Sequence, residues 1–338
     1  MRISEFDFHL PKQAIAQEPV KPRDHSRLMF LKRRNNAIDH FYFYHLPTLL
    51  RPGDVLVLNN TKVFPARLIG TKESGGKIEV FLLKAMAGKS WQVMLGGRRK
   101  TVGMEIYFSP RLSGRIMKHL SDTTWEVRFT LTKTQLMAEL EKIGHVPVPP
   151  YIKKPASKRN YQTLFAERVG SVAAPTAGFH FTAKTFRDLE KRGVKIEYVT
   201  LHVGLGTFAP VKTERIEDHH IHSEWAEISE PVVRRLRRAK KAGQRIIPVG
   251  TTSLRTLEAF TQKNGVLRAG KKWVDIFIYP GYRFRMADAL ITNFHTPRST
   301  LLMLVSAFAG TEFISRAYYA ALEHHYRFYS FGDAMFIE

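Results

Sequence analysis

The chain has 338 residues of ordinary globular composition, no cysteine, and a formal net charge of +23 from 53 lysines and arginines against 30 aspartates and glutamates. The length favours two domains, and the lack of cysteine excludes disulfides, thiolate metal sites, iron–sulfur ligation and cysteine nucleophiles. The charge favours a polyanionic partner, with nucleic acid before any other, over a surface that is basic only for solubility.

Neither the N-terminal residues nor any later stretch is apolar over the length of a signal peptide or a membrane span. The most apolar helix candidate, at residues 300–308, is far too short to cross a membrane. The lack of cysteine also fits a reducing compartment. We therefore expect a cytoplasmic protein without a membrane partner.

Within the first 150 residues, the pattern of predicted secondary structure changes at about residue 63. Before it, the turn Arg51-Pro-Gly53 leads into one predicted strand at residues 54–58. After it come six short β-rich runs separated by glycines, at residues 63–70, 77–83, 91–95, 104–108, 112–117 and 124–130. Short strands at close spacing, with no helix between them, predict a small antiparallel barrel.

Helices and strands alternate in the second half of the chain, after a predicted helix at residues 135–143 and a proline-rich linker at 146–155. Helices are predicted at residues 183–192, 231–242, 254–262 and 300–308, and strands at 195–202, 245–249, 274–279 and 289–293. This alternation predicts an α/β fold with a mixed, largely parallel sheet. We predict a discontinuous α/β domain, residues 1–62 and 149–338, with an inserted barrel domain at 63–148.

Three loops at the ends of predicted elements carry polar groups. Gly250-Thr-Thr-Ser253 joins a buried strand to a helix; its hydroxyls can cap that helix, and its free N–H groups favour anionic oxygens. His180 follows Pro175 and Gly178, small residues that would let a flat ligand lie against the backbone, unless the histidine is satisfied within its own loop. The segment 279–310 surrounds an apolar strand and helix with polar groups, a pattern typical of a site. These groups are Arg283, Arg285, Asp288, Asn293, His295 and Arg298.

Two further motifs are weaker. Gly204-Leu-Gly206 has the spacing of a dinucleotide loop, but Pro210 follows where that fingerprint needs a helix, so we do not expect a Rossmann site. His220, His222 and Glu224 would share one face of a strand. Because no second cluster completes a metal site, hydrogen bonding to a polar substrate is the better interpretation.

A basic stripe marks the helix predicted at residues 231–242. Four cations share one of its sides at 100° per residue: Arg234, Arg237, Arg238 and Lys241. A solvated helix face usually mixes charge signs, so we interpret the stripe as a contact to a nucleic-acid backbone and keep the solvated face as the alternative.

Ordered blocks along the whole chain resemble one family. They are residues 6–11, 15–19, 22–27, 52–54, 59–67, 174–182, 202–208, 222–224, 250–255, 279–310 and 326–335. With these blocks the chain resembles the S-adenosylmethionine:tRNA ribosyltransferase-isomerase family of queuosine biosynthesis. Departures from the family pattern are mild, and none of them removes a polar group: Lys62, Phe64, Phe179 and Leu205.

The resemblance implies a reaction on tRNA. The family transfers the ribosyl carbons of S-adenosylmethionine to 7-aminomethyl-7-deazaguanine at the anticodon wobble position, forming epoxyqueuosine and releasing adenine and methionine. S-adenosylmethionine is then a consumed substrate, and neither a cofactor nor a metal is expected. The implied fold is an α/β domain with an inserted β-barrel, and the expected partners are S-adenosylmethionine and this tRNA, bound by a monomer.

The implied chemistry needs a base for the C5′ proton, protonation of the leaving adenine, and a neutral amine as nucleophile. Roles stay open among six candidate proton carriers, with His180 first: His180, His202, His295, Asp24, Glu224 and Asp288. The candidate substrate-binding residues are Asn59, Asn60, Thr61, Arg67, Thr176, Gly178, Gly204, Gly206, Thr251, Thr252, Ser253, Tyr282 and Asn293. The alternatives are a non-catalytic RNA-binding protein and an S-adenosylmethionine-dependent RNA methyltransferase, although the latter's glycine-rich loop is missing after the strand at 54–58.

Overall fold

The computed structural model describes residues 1–121, 123–149, 151–153, 160–204, 211 and 213–338. Its strands are β1 (Arg27–Lys32), β2 (Ala37–Tyr42), β3 (Val55–Asn59), β4 (Thr61–Val63), β5 (Arg67–Lys72), β6 (Lys77–Ala85), β7 (Ser90–Gly96), β8 (Glu105–Ser109), β9 (Leu112–Ser121), β10 (Thr124–Phe129), β11 (Arg168–Ser171), β12 (Lys195–Leu201), β13 (Glu224–Ile228), β14 (Ile246–Pro248), β15 (Gly270–Val274), β16 (Leu290–Asn293) and β17 (Ala334–Ile337). Its helices are α1 (Leu46–Leu49), α2 (Lys133–Ile143), α3 (Ala183–Lys191), α4 (Glu230–Lys241), α5 (Thr251–Phe260), α6 (Thr300–Ala309) and α7 (Thr311–Glu323).

Two mixed sheets form the α/β layer. The five-stranded sheet has the order β14-β3-β12-β13-β15, and the four-stranded sheet has the order β16-β17-β1-β2. A parallel bridge between Val249 and Ile291 joins them. β14, β3 and β12 run parallel, with Val55 opposite Ile246 on one side and Lys195 on the other, whereas β13 and β15 pair antiparallel. The expected α/β fold class is confirmed, and residues 54–58 and 245–249 share one sheet as expected.

Apolar helix faces cover this layer. On α4, Val232, Val233, Leu236 and Ala239 follow the helical period and pack with the core of the five-stranded sheet. Burying a leucine such as Leu236 completely contributes about 1.5–3 kcal/mol. No single helix in the described part of the chain is long and apolar enough to cross a membrane. α6 and α7 reach that length only as a pair bent by 114°.

The six strands predicted between residues 63 and 130 form a closed barrel of order β10-β7-β6-β5-β8-β9. Leu136 and Leu140 of α2 belong to its apolar core, and Thr132 caps that helix by accepting from the Gln135 N–H. The first expected strand begins late, because residues 61–63 pair with β11 instead. The exact division into domains at residues 63 and 148 stays a prediction.

Two strand predictions are wrong. Only one strand was expected before residue 62, but β1, β2 and β4 also lie there. β1 is buried on both faces and therefore lacks the alternation that identifies a strand. The strand expected at residues 274–279 lies earlier in the chain, as β15. It is an edge strand whose first four residues are exposed and whose last residue, Val274, is buried. Charged side chains such as Lys271 and Lys272 are typical of protected edges and hide the strand from an apolar pattern.

Candidate active site

A cavity of about 90 Å³ lies at the edge of the layer where β12, β14 and β16 end. We call this the carboxyl edge, and the opposite one the amino edge. Five predicted site residues line the cavity: Thr176, Thr251, Thr252, Asn293 and His295. Among the described residues, none that lines it is an acid, a lysine or an arginine. The cavity therefore carries no fixed charge, and its wall combines apolar side chains with polar ones such as Thr251 and Asn293.

His295 is the one histidine among the described residues of the cavity wall. Its Nε2 lies 3.0 Å from Thr292 Oγ1, and its backbone N–H donates to the Tyr318 hydroxyl at 2.9 Å. No described residue hydrogen bonds to its Nδ1. Burial lowers the pKa of His295 to about 3, so the ring is neutral at pH 7. A neutral imidazole fixed through one nitrogen can exchange a proton with a ligand through the other.

His180 lies behind the cavity wall. Its Nδ1 is 2.7 Å from Ser26 Oγ, and burial together with the Arg327 charge lowers the pKa of His180 to about 3. Asn293, which does line the cavity, opposes this shift and holds its amide by donating to Tyr329 O at 3.0 Å. Neither His180 Nε2 nor Asn293 Oδ1 has a partner at normal hydrogen-bond geometry among the described residues, but the two side chains lie close enough for Asn293 to raise the pKa of His180. Such buried atoms are rare, so this pair is a candidate for completion by a ligand.

The start of α5 forms another wall. The expectation that Thr251, Thr252 and Ser253 cap this helix is wrong, because they lie inside its first turn and Gly250 is the capping residue. Gly250 has a φ of +87°, a conformation that a side chain would strain. No described residue accepts from the N–H groups of these three residues, which leaves the positive end of the helix open toward the cavity. Asn59 fixes the Thr252 hydroxyl by donating to it at 3.2 Å.

Glu224 is a buried partner of Arg255, with their side chains 3 % and 4 % exposed. Glu224 Oε1 also accepts from the Gly204 N–H at 2.9 Å. Arg255 lines a second cavity of about 10 Å³, and Leu301 lies between the two cavities because it lines both. Because the Glu224 carboxylate is already paired with a buried cation, it is better suited to hold the loop at Gly204 than to carry protons. Gly206, predicted to bind substrate, lies outside the described residues.

His202 belongs to a separate polar cluster beyond the cavity wall. Its Nδ1 is 2.8 Å from Thr61 Oγ1, and its ring stacks on Trp225 with centroids 5.0 Å apart. Burial lowers the pKa of His202 to about 4. Asn60 accepts from the Thr200 hydroxyl at 2.7 Å. These contacts brace the ends of β3 and β12, so the expected substrate contacts of Asn59, Asn60 and Thr61 are replaced by contacts within the protein.

Asp24 and Gly178 support α3 and the loop before it. Asp24 Oδ2 accepts from the Thr182 hydroxyl at 2.7 Å, and Thr182 caps α3 by accepting from the Thr185 N–H at 3.2 Å. Thr182 therefore fixes the start of α3. A Cβ on Gly178 would come within 2.6 Å of the Phe165 ring, so glycine serves packing there and not the expected ligand contact.

Asp288 lies at the amino edge, far along the strands from Gly250. Its Oδ1 is 2.6 Å from Lys240 Nζ, and its Oδ2 accepts from the Ile246 N–H at 2.8 Å. Ile246 begins β14, whereas the cavity lies where β14 ends. The expectation that Asp288 is one of the proton carriers therefore has no geometric support.

Two predicted substrate residues also lie outside the cavity. Arg67 is in barrel strand β5 and pairs with Glu79 at 2.7 Å on the exposed surface. Tyr282 donates to Glu258 at 3.2 Å, and Glu258 also accepts from three successive backbone N–H groups that begin at Arg285. Tyr282 thus helps to fix a turn, because the buried carboxylate of Glu258 organises that turn.

The basic stripe of α4 is a surface feature. Three of its cations are exposed and Arg237 is half-buried. The remaining cations of the helix are matched, since Arg235 pairs with Glu197 and Lys240 with Asp288. In the described part of the chain no carboxylate pairs with the four stripe residues Arg234, Arg237, Arg238 and Lys241. They are free to meet an external anion.

Comparison with known proteins decides the family. Residues 3–337 match the model of a family described as queuosine biosynthesis protein. The chain belongs to this family. It is similar to two proteins named S-adenosylmethionine:tRNA ribosyltransferase-isomerase, from Moorella thermoacetica at 50 % identity and from Thermoanaerobacter sp. strain X514 at 49 %, with both chains fully covered. The crystal structure of S-adenosylmethionine tRNA ribosyltransferase from Thermotoga maritima matches with a TM-score of 0.57 and 37 % identity, over 99 % of this chain and 100 % of that one.

In this member of the queuosine biosynthesis family, the predicted site omits five polar cavity residues: Tyr151, Thr292, Thr296, Tyr329 and Ser330. The Tyr151 hydroxyl is 2.8 Å from Ser330 Oγ, and the two tyrosine rings are 4.4 Å apart. Tyr329 and Ser330 fall in the block 326–335 that carried the resemblance, so a signal for them existed. Tyr151 only follows a proline-rich linker. Among the described residues, no three His, Asp or Glu side chains are grouped to hold a metal.

Proposed function

We propose that this chain is an S-adenosylmethionine:tRNA ribosyltransferase-isomerase. The family match over residues 3–337 carries this conclusion, because it includes every stretch of chain that lines the cavity. The enzyme moves the ribosyl carbons of S-adenosylmethionine onto the tRNA base 7-aminomethyl-7-deazaguanine at the wobble position. Epoxyqueuosine forms, and adenine and methionine leave.

The cavity suits the sulfonium of S-adenosylmethionine. Aromatic faces attract cations, and Tyr151 and Tyr329 line the cavity without a competing fixed charge. The uncapped start of α5 offers N–H groups to the methionine carboxylate, which the positive end of a helix stabilises. Asn293 Oδ1, an acceptor without a described partner, suits an ammonium or amino group of either substrate.

His295 is the best-placed group for the C5′ proton, ahead of His180. It lines the cavity with a neutral ring that has a lone pair available for a proton, although the pKa that burial lowers to about 3 makes it a weaker base than an exposed histidine. The same burial disfavours its charged form, so the proton must move on, and the departing adenine is an acceptor that the reaction itself provides. His180 would act through Asn293, which separates it from the cavity.

We propose further that S-adenosylmethionine is consumed as a substrate and that no additional cofactor takes part. The proton transfers described above involve only this chain's own side chains and the two substrates. We also keep the proposals of a monomeric, cytoplasmic enzyme, which sedimentation and cell fractionation test.

The decisive experiment supplies S-adenosylmethionine, labelled in its methyl group or in its ribose, and tRNA containing 7-aminomethyl-7-deazaguanine. Mass spectrometry of the digested tRNA should show the ribose label in epoxyqueuosine, with one adenine and one methionine released per modified base. Transfer of the methyl label to RNA without adenine release would instead identify a methyltransferase. Binding of tRNA with neither product would identify a non-catalytic RNA-binding protein.

A further inference from the structure

An exposed aromatic cluster lies on the surface where β2 ends. Tyr42 and Tyr44 are 46 % and 37 % exposed, and their rings stack 5.4 Å apart at 6°. His25 and His45 contact the Tyr44 ring, with centroids 5.1 Å and 4.3 Å away. We call these four residues the aromatic platform. Large exposed rings gathered in one place are characteristic of an interaction surface, whereas single ones need no explanation.

The platform is the outer side of the active-site wall. Phe43, between the two tyrosines, is fully buried and stacks on His180 with centroids 5.0 Å apart at 27°. Asn293 lies between His180 and the cavity, which it lines. Two layers of side chains therefore separate the platform from the cavity. A ligand that enters the cavity and extends past this wall reaches the platform next.

A cation, Arg27, and two histidines lie beside the platform. Arg27 lies opposite Tyr42 in the pairing of β1 with β2, and its guanidinium lies 4.1 Å from the Tyr326 ring. The His40 and His324 rings are 4.3 Å apart on the same side. Burial, followed by His324 and Arg27, lowers the pKa of His40, so His40 is neutral at pH 7 and Arg27 is the fixed cation at this place. Such a surface suits a phosphate that links two bases.

We propose that the aromatic platform stacks an unpaired base of the tRNA anticodon loop, adjacent to the base that enters the cavity. This inference rests on the proposed function, which makes tRNA the partner. Single-stranded RNA is recognised by bases splayed onto aromatic side chains, with cations along the backbone. The net charge of +23 favours this occupant. A second copy of the chain is disfavoured, because a stable interface needs about 1,000 Å² or more and four side chains offer far less.

The test compares ring removal with ring retention. We would measure the Kd for tRNA carrying 7-aminomethyl-7-deazaguanine with the Tyr42→Ala/Tyr44→Ala double variant and with Tyr42→Phe/Tyr44→Phe. The matched control is Tyr107→Ala, since Tyr107 is 50 % exposed on barrel strand β8, which carries no platform residue. Stacking of one base corresponds to about a 5- to 150-fold change in affinity, so the alanine variant should bind tRNA that much more weakly. The phenylalanine variant and the control should stay within about threefold of the wild type.

Two further readouts make the result specific. The Kd for S-adenosylmethionine should not change in any variant, and the salt dependence of tRNA binding should keep its slope, because stacking releases no counterions. Wild-type affinity for tRNA in a folded alanine variant would overturn the proposal. A changed sedimentation coefficient with unchanged tRNA affinity would also overturn it and assign the surface to a second copy.

A measurement on the unmodified chain covers the case in which the double variant does not fold. Ultraviolet cross-linking of wild-type protein to the tRNA, followed by peptide mass spectrometry, should join Tyr42 or Tyr44 to an anticodon-loop base. Cross-links confined to other residues would contradict the platform. Adenine release by the wild type is the separate test of the proposed function. If adenine is released but no platform residue cross-links, only the platform proposal fails.

Discussion

The two edges of the α/β layer differ in the charge that lines them, although buried ion pairs occur at both, since Glu224 pairs with Arg255 beside the carboxyl-edge cavity. At the amino edge, carboxylates are matched by cations, as in Asp54 with Arg245 at 2.6 Å and Asp288 with Lys240 at 2.6 Å. At the carboxyl edge, the described cavity wall has no charged side chain, and Asn293 Oδ1 has no described partner. Matched pairs hold a fold together, whereas unmatched buried groups cost stability and persist where a ligand completes them. The difference shows which edge is built for chemistry.

The largest expected effect comes from changing one histidine at the carboxyl edge. General acid–base groups contribute about 10²–10⁴-fold, so His295→Asn should slow single-turnover adenine release by that factor at saturating tRNA. The control at the other edge is Asp288→Asn, which keeps an acceptor for the Ile246 N–H and should stay within about threefold of the wild type. Equal losses in both variants would break the distinction between the edges.

Substitutions at the amino edge should lower the free energy of unfolding and leave the rate of the reaction unchanged. Arg245→Met leaves the Asp54 carboxylate, 3 % exposed, without its cation. Breaking such a buried pair costs about 3–5 kcal/mol of unfolding free energy, which urea denaturation measures. The matched control is Arg67→Met, because its pair with Glu79 is exposed and such pairs contribute about 0–1 kcal/mol. Adenine release per folded molecule should not change in either variant, and a catalytic defect in Arg245→Met would contradict the comparison.

A smaller effect concerns pH. The unfolded chain protonates His180 and His295 near their ordinary pKa of about 6.5, whereas burial lowers the folded pKa of each to about 3. Between these values the unfolded state binds more protons, so the unfolding free energy falls as pH falls. Each histidine contributes up to about 1.4 kcal/mol per pH unit. Urea denaturation between pH 6.5 and 5 should show a shallower decline in His295→Asn, and an unchanged decline would mean that His295 is not buried as a neutral ring.

The smallest expected effect tests the basic stripe on α4, whose four cations pair with no carboxylate in the described part of the chain. Replacing Arg234 and Arg238 by Gln should lower the slope of log affinity for tRNA against log salt by about 1–2, since each phosphate contact contributes about 0.9 in a duplex and less in single strands. S-adenosylmethionine affinity should not change. Arg235→Gln is the control, because Glu197 already matches that charge. A slope equal to that of the wild type would make the stripe a solvated face.

Most of the fold could be predicted from the sequence, because the patterns that identify its strands and helices lie within short stretches of the chain. Six glycine-punctuated runs gave the barrel strands within a few residues, and the apolar period of residues 232–239 gave α4. β1 was not predicted because a strand that is buried on both faces lacks the alternation of apolar and polar residues. β15 was not predicted because an exposed edge strand contains few apolar residues. Strand pairing depends on contacts distant in sequence, which no local pattern contains.

The site was readable only in part. Residue type and a place near a strand end selected His295, Asn293 and Thr252, which the structure places on the cavity wall. The same criteria selected Asp288, because they do not say at which end of a strand a side chain lies. Tyr151 could not be found, since an aromatic residue after a linker is ordinary until the fold brings it beside Ser330.

The most direct test of the central claim is a crystal structure of the chain with S-adenosylmethionine bound. The carboxyl-edge cavity should hold the ribose, with C5′ within about 3.5 Å of a His295 ring nitrogen, as proton transfer requires. The sulfonium should lie against Tyr151 or Tyr329, and the methionine carboxylate at the start of α5. An ordered ligand at the amino edge or on the barrel, with His295 remote from the ribose, would contradict the account.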